Sequence, residues 1–325
     1  NFTLGNHVEN LTLTGNAAYG IGNSLSNSLD GGTGADTLVG NNGNDTFVVD
    51  NLGDSVVGGT GVDLVISSVN YTLNAAIENL SLKGSALKGV GNQLPNSLLG
   101  NSLGNSLDGG TGMDTMNGGS GNDTYMIDSD RDLIIEISNA GMDTIVAFTN
   151  YTLGANIENL TLTFTAAMGC GNAQSNSLTG NSISNNLNGG QGNDLLDGNV
   201  GNDTLVGCFN GKDGGKNEVD TLIGGLGADL FQLGYSNGRF YDDGIATTPG
   251  RFDYLLICDF TIGQDRLQLD GKSTGYYLAA SGVSGVSGQG LFSEQGATDE
   301  LLAIIRSSNS TALTTDNTIK NALFV

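Results

Sequence analysis

Apolar residues return along this chain every nine positions, each the centre of a three-residue run. Leu29, Leu38, Phe47, Val56 and Val65 keep this spacing, and Leu98, Leu107, Met116, Tyr125 and Ile134 repeat it further on. Glycine, asparagine, aspartate and small polar residues fill the intervals. Three residues that read polar, apolar, polar make a short strand whose middle side chain points inward. The six before them make a turn, where glycine permits a left-handed backbone and close approach. Two nines then close one coil of two strands and two turns, and coils stack at the sheet spacing of about 4.8 Å. The pattern predicts an all-β chain: a right-handed parallel β-roll, or β-solenoid, built from nonapeptide half-coils.

The frame is explicit in GGTGADTLV from Gly31 and GNNGNDTFV from Gly40, in GGTGMDTMN from Gly109 and GGSGNDTYM from Gly118, and in GGQGNDLLD from Gly189 and GNVGNDTLV from Gly198. After an insertion over Gly207–Gly214 it resumes as GKNEVDTLI from Gly215 and GGLGADLFQ from Gly224. Position six is Asp throughout. Where the glycines fade the frame still places Asp54, Asp63 and Asp132 at position six, and two extra residues then bring Asp143 into phase. A variant upstream of each glycine-rich block has asparagine there: Asn27, Asn96, Asn105, Asn176 and Asn185. A longer repeat surrounds the frame. Asn1-Phe-Thr-Leu, Asn70-Tyr-Thr-Leu and Asn150-Tyr-Thr-Leu correspond, as do Val8-Glu-Asn-Leu, Ile77-Glu-Asn-Leu and Ile157-Glu-Asn-Leu. The expected organisation is a first unit over 1–69 with its glycine–Asp block at 31–66, a second over 70–149 with 109–146, and a third over 150–232 with 189–232. A carboxy-terminal region over 233–325 follows, expected to cap the open end of the solenoid with paired strands.

Composition sharpens this picture. There are 53 glycines, two prolines and no tryptophan among 325 residues, and aromatics make up 6%, which suits a thin core repeated along an axis. The net charge of −23 argues against nucleic-acid binding and against docking on anionic lipid. Acidity with few aromatics often signals disorder, but these acids recur singly and in register. Cys170, Cys208 and Cys258 have no metal-ligand spacing and read as free thiols or at most one pairing. No apolar run approaches the ~18 residues of a membrane span, so membrane insertion is not expected. No amino-terminal signal peptide is visible.

Stacking sets position six of one nonapeptide beside position six of the nonapeptide two later. Two unit charges ~5 Å apart repel by roughly 3 kcal/mol at an effective dielectric of 20. A hard divalent cation with oxygen ligands would reverse the sign, and calcium accepts carboxylates and backbone carbonyls in flexible geometry. An isolated Asp in such a turn would simply hydrogen-bond its own backbone; a dozen in register call for a common partner. The nonapeptides resemble the repeats-in-toxin (RTX, haemolysin-type) family, whose G-G-x-G-x-D-x-U-x signature marks a calcium-binding β-helix repeat. The resemblance implies multiple calcium ions between stacked turns. The matching carboxylates are Asp36, Asp45, Asp54, Asp63, Asp114, Asp123, Asp132, Asp143, Asp194, Asp203, Asp220 and Asp229. Carbonyl ligands would come from Gly31, Gly32, Gly34, Gly43, Gly109, Gly110, Gly112, Gly121, Gly189, Gly190, Gly192, Gly201, Gly224, Gly225 and Gly227. Asp54, Asp132, Asp143 and Asp220 sit in turns that depart from the glycine pattern. The Asn-type coils are expected to stand without metal, held by stacked amides.

The segment from Asp253 to Leu269 resembles the stretch that follows the roll in this family, with Asp253, Asp259 and Asp265 as candidates for a further ion or for turn roles. The ending Asn317-Thr-Ile-Lys-Asn-Ala-Leu-Phe-Val resembles an uncleaved type I secretion signal, which implies the type I secretion machinery as a partner and an extracellular or cell-surface location. His7 has no partner histidine, and no nucleophile-elbow or phosphate-loop pattern occurs, so no catalytic residue is expected in this chain. Two functions remain. One is an extracellular structural repeat protein (adhesin, surface-layer or fibre component) that folds on calcium and could associate end to end. The other is the carboxy-terminal secretion and folding module of a larger secreted enzyme or toxin, since the chain begins at Asn1 in the middle of a unit.

Overall fold

The computed structural model describes residues 1–325 except 16–17, 209–216, 236–237, 240, 242–252, 270–274, 294–298, 309–312, 314–322 and 325. The chain divides into two compact units, Asn1–Val146 and Ala147–Val325. No α-helix occurs among the described residues, and none could cross a membrane.

In the first unit one sheet runs through eight parallel strands. In spatial order they are Asn10–Thr12, Ser28–Asp30, Thr46–Val49, Leu64–Ser67, Asn79–Leu82, Ser97–Leu99, Thr115–Asn117 and Leu133–Ile134. The half-coils between them supply Phe2–Thr3, Tyr19–Ile21, Thr37–Asn42 and Ser55–Thr60 to one sheet, and Tyr71–Thr72, Lys88–Asn92, Ser106–Gly110 and Thr124–Ile127 to another. Leu29 pairs with Phe47, Leu38 with Val56 and Leu107 with Tyr125, so inward residues stack on those one coil away. All six are fully buried. Ile134, in the end strand of the eight-stranded sheet, is only half-buried.

The second unit repeats the plan. Asn159–Leu162, Ser177–Thr179, Leu195–Asp197 and Val219–Ile223 lie side by side in parallel, and so do Tyr151–Thr152, Met168–Cys170, Asn186–Gly190, Thr204–Cys208 and Leu230–Gln232. Stacking does not stop at Leu233. Tyr254–Phe260 pairs in parallel with Val219–Ile223, and Arg266–Leu269 with Leu230–Gln232. The glycine turns have gone, but Ile257 and Leu267 keep the inward position. Glu300–Ser307 then adds in parallel to Tyr254–Phe260, and Gln289–Ser293 and Tyr276–Ala280 follow as antiparallel strands. Leu301 to Ile305 are buried without alternation, as a strand covered on both faces requires. Tyr254, Leu301 and Ile304 form a cluster against Val219, Leu256, Val283, Val286 and Phe292, which closes the last coil. The proposed secretion-signal ending, from Asn317, falls almost wholly outside the described residues, as does most of the Gly207–Gly214 insertion.

The turns are drawn tight by backbone on backbone. A Cβ on Gly59 (φ +131°) would lie 1.6 Å from the Asn41 carbonyl oxygen, and one on Gly227 (φ +154°) 1.4 Å from that of Gly201.

Removing one rung of the stacked core should be costly and local exposure should not be. Leu29→Ala is expected to lower the unfolding free energy in calcium by roughly 2–5 kcal/mol. Leu52→Ala, at a side chain 78% exposed, should stay within about 0.5 kcal/mol by the same denaturant titration.

Candidate metal centres

Position six forms ladders between coils. The backbone N–H of Asn27 donates to Asp45 Oδ1 (2.7 Å), and that of Asp45 to Asp63 Oδ1 (2.8 Å). Asp36 N–H donates to Asp54 Oδ1 at 2.9 Å, Asn96 to Asp114 at 2.7 Å, Asp114 to Asp132 at 3.1 Å, Asn105 to Asp123 at 2.6 Å and Asp123 to Asp143 at 2.8 Å. In the second unit Asn176 donates to Asp194 and Asn185 to Asp203, both at 2.7 Å. Asp194 N–H reaches Asp220 at 2.8 Å, Asp203 N–H reaches Asp229 at 2.9 Å, and Asp229 N–H reaches Asp265 at 3.0 Å. The structure thus brings all twelve predicted carboxylates into the walls of the coils.

In the eleven carboxylates that accept it, this bond satisfies one oxygen; the other oxygen separates the aspartates into two kinds. Oδ2 of Asp36, Asp45, Asp63, Asp114, Asp123, Asp194, Asp203 and Asp229 is buried and has no hydrogen-bond partner. A buried acceptor left so costs on the order of 1–3 kcal/mol, and more when charged. By contrast Asp54 Oδ2 accepts from the N–H groups of Asp50 and Asn51, Asp132 Oδ2 from Ser129, and Asp265 Oδ2 from Thr261. Asp220 Oδ2 accepts the Tyr241 hydroxyl, and Tyr241 is fully buried. Asp259 caps the N–H groups of Gly224 and Gly225. Asp54, Asp132 and Asp220, three of the four residues in departing turns, therefore have a protein donor on the second oxygen as well. The fourth, Asp143, gathers with Asp123 and Glu136, their carboxylate oxygens lying within 4.8 Å of one another.

The glycine pattern has two separate causes. Gly32, Gly34, Gly43, Gly110, Gly121, Gly190, Gly192, Gly201, Gly225 and Gly227 have positive φ, whereas Gly31, Gly109, Gly189 and Gly224, at position one, do not, and neither does Gly112. At position one the reason is space. A Cβ on Gly40 would stand 2.2 Å from Asp45 Oδ2 and 2.8 Å from the Gly58 carbonyl oxygen of the next coil. On Gly189 it would meet Asp194 Oδ2 at 2.3 Å and the Gly207 oxygen at 2.3 Å. The unpartnered carboxylate oxygen and a carbonyl oxygen of the following turn thus border one small cradle. An anionic oxygen, a carbonyl oxygen and no donor make a set suited to a hard cation such as calcium. These residues fit the ion that the sequence implies.

The Asn-type turns need no ion. In Asn96 the amide Oδ1 accepts from Asn92 N–H (2.7 Å) and Nδ2 donates to the Ile77 carbonyl of the preceding coil (3.0 Å). Asn27, Asn105, Asn176 and Asn185 make the same pair of bonds. The stacking bond runs from amide to backbone carbonyl rather than from amide to amide.

Sequence reasoning missed the glutamates. Leu80 pairs with Val65 and Leu98, so Glu78, two residues earlier, stands at position six, and its Oε2 accepts the Asp63 N–H at 2.8 Å. Glu218 Oε1 accepts the Gly192 N–H at 2.9 Å. The signal was present in Ile77-Glu-Asn-Leu, where the acid precedes an apolar residue by the same two positions as each Asp.

A parallel β-solenoid with glycine–Asp turns is the class of protein that this fold and these columns define. Residues 21–51, 99–134 and 171–207 match the family described as RTX calcium-binding nonapeptide repeat (4 copies), and the chain carries RTX repeats over these segments. Among curated proteins none matches the chain. The matched segments contain both Asp-type and Asn-type turns and leave out Asp54, Asp63, Asp143, Asp220 and Asp229. The three cysteines are free thiols, Cys208 buried.

Burial pushes the carboxyls above their ordinary range. Asp114, Asp123 and Asp203 rise to about 6 and Asp194 to about 8, burial first and neighbouring acids adding to it. Asp36, Asp45, Asp63, Asp143 and Asp229 rise for the same first reason. A pKa higher in the folded than in the unfolded chain means that the metal-free fold binds protons more tightly. Its stability is then full below about pH 4 and falls as pH rises through about 6 and on towards 8. In chelator, circular dichroism should therefore show more β structure at about pH 4.5 than at about pH 7.5, the reverse of ordinary acid denaturation. In calcium the order should invert, because protons and the ion compete for the same oxygens.

Proposed function

We propose that the chain is an extracellular calcium-binding structural repeat protein that folds on calcium after export. The single observation that carries this reading is the row of buried position-six carboxylates whose second oxygen has no donor, the first being bonded to a backbone N–H of the preceding coil in all but Asp36, and a carbonyl oxygen bordering the second at Asp45, Asp63, Asp194 and Asp203. The ions would sit at Asp36, Asp45, Asp63, Asp114, Asp123, Asp143, Asp194, Asp203 and Asp229, with position-one carbonyls completing each shell. Asp54, Asp132 and Asp220 would instead end their columns without an ion. At submicromolar calcium the charged turns repel and stay open, and at extracellular levels of about 10⁻⁴–10⁻³ M they close. Such a chain can be exported unfolded and fold outside. The net charge of −23 and the absence of any catalytic constellation in the sequence favour a structural role over an enzymatic one.

Full chelation at neutral pH should abolish most of the strand signal in circular dichroism, and millimolar calcium should restore it. An unchanged signal after complete calcium removal would sink the reading. Within the loaded protein, Asp45→Asn should cost about one bound ion and move the calcium midpoint up several-fold, as read by calorimetry. Asp54→Asn, whose second oxygen already has two backbone donors, should keep the ion count.

A further inference from the structure

One cation site departs from the rest, and the departure lies in a residue that the repeat does not provide. The half-coil after Asp132 carries two extra residues, so the ladder bond from Asp123 N–H reaches Asp143 across 20 positions where its neighbours span 18. At the start of that half-coil, where the frame has glycine in its regular turns, stands Glu136. In the glycine turns a side chain at position one would strike the position-six carboxylate. Here the longer turn makes room, and the glutamate becomes a third acid in the centre. Asp123, Glu136 and Asp143 each present a carboxylate oxygen within 4.8 Å of the others. Asp123 is 1% exposed, and its Oδ2, aimed into this group, has no hydrogen-bond partner.

A fixed hydroxyl borders the same space. The Tyr125 oxygen accepts the Gly118 N–H at 2.6 Å, and its O–H donates to Glu136 Oε1. A Cβ on Gly118 would lie 2.1 Å from Asp123 Oδ2 and 2.6 Å from the Tyr125 oxygen, so phenol and carboxylate flank one cradle. Tyr125 is itself a core residue at position eight, fully buried, so its hydroxyl cannot swing away. It holds Glu136 in place from outside the shell.

We propose that Asp123, Glu136 and Asp143 form a tri-carboxylate cation site that binds calcium more tightly than the other position-six sites of the chain and favours trivalent over divalent ions, with Tyr125 as its positioning residue. The inference rests on the calcium reading above and adds to it an order of filling. Charge count in the ligand set tunes affinity in oxygen-ligand sites. Three carboxylates around one ion leave a net −1 with calcium and zero with a lanthanide, so the preference for higher charge is strongest here. The ion would therefore enter this centre first and fix the neighbouring coils for those that follow.

Terbium tests this directly, because a nearby tyrosine sensitises its emission and the chain has no tryptophan. The full chain, titrated with terbium under tyrosine excitation, should show a tight first phase of one ion. Tyr125→Phe should remove the emission of that phase while calorimetry still counts the ion. Glu136→Gln should weaken the first phase by about tenfold or more and leave later phases in place, whereas Asp203→Asn should alter a later phase only. First-phase emission that survives Tyr125→Phe, or a tightest site untouched by Glu136→Gln, would overturn the proposal. If Glu136→Gln fails to fold in calcium, the Tyr125→Phe emission decides alone. No binding of calcium or terbium at any site would instead overturn the calcium reading itself.

Discussion

The backbone N–H of one position-six residue bonds to the position-six carboxylate of the coil above, and much else in this protein follows from that bond. It draws the carboxylate off the surface and into the wall of the turn. Asp45, Asp63, Asp123 and Asp220 are 1% exposed or less. A side chain recruited to satisfy a backbone donor thereby brings a full charge into a place with little water. Fold and charge cannot be separated here: the bond that registers the coils is the bond that buries the acid. The same bond explains position one. With the carboxylate held inward, its second oxygen occupies the volume that a Cβ would need, and only glycine leaves it free. Glycine and aspartate are coupled in the motif by sterics across the turn, beyond the freedom of φ that glycine brings at positions two and four.

Asparagine shows how little chemistry divides a self-sufficient turn from one that needs a cation. In both residues one side-chain atom points to the neighbouring coil and the other lies against the position-one glycine. The Asn27 amide gives and accepts within the protein, through Val8 and Asn23. An ionised Asp has no hydrogen to give, so its inter-coil bond runs the other way and it accepts from the backbone of the previous coil. In the glycine-rich turns the position-two N–H is also drawn elsewhere. Gly32 donates to Asp30, Gly110 to Asp108 and Asn199 to Asp197. No donor remains for Oδ2. Replacing NH₂ by O at a nearly constant shape thus converts a neutral rung into an anionic one, and the chain uses the two in sequence along each column.

Much of this was legible before any coordinates. The nine-residue return of apolar residues gave strand positions, coil closure and inward faces, because period two inside a strand and period nine between strands admit one stacking. The twelve aspartates were found because spacing fixes register. What could not be read was the fate of each second oxygen. Asp54 and Asp36 share a position in the frame, yet one is capped by a local loop and the other is not, and this depends on how the Asp50-Asn51 backbone turns back. The continuation past Leu233 was hidden for the opposite reason. Tyr254–Phe260 and Arg266–Leu269 keep the stacking but lose the glycines, so the geometry persists where the signature ends. Glu78 escaped because the frame has aspartate at position six, although a glutamate two positions before an inward residue reaches the same column, and Glu136 because it stands at position one, where the frame has glycine.

The ends of the columns give the strongest reason to expect ions in their middles. Asp54, Asp132 and Asp265 receive N–H groups from their own turns, and Asp220 receives a hydroxyl from Tyr241, a residue outside the repeat. These four solutions have different sequences and different donors but one effect, which is to place a positive dipole on the oxygen that the ladder bond leaves over. Such devices would not recur if a bare buried carboxylate were tolerable. Between the ends, at Asp45, Asp114, Asp194 and Asp203, the protein supplies no such donor and places carbonyl oxygens there instead. A carbonyl beside an unpaired carboxylate adds to its destabilisation unless a cation lies between them, so the compensation must come from solution. The columns that end on Asp54, Asp132, Asp220 and Asp265 are therefore closed to calcium by hydrogen bonding at the end, whereas the column through Asp123 ends on Asp143 within an acidic centre.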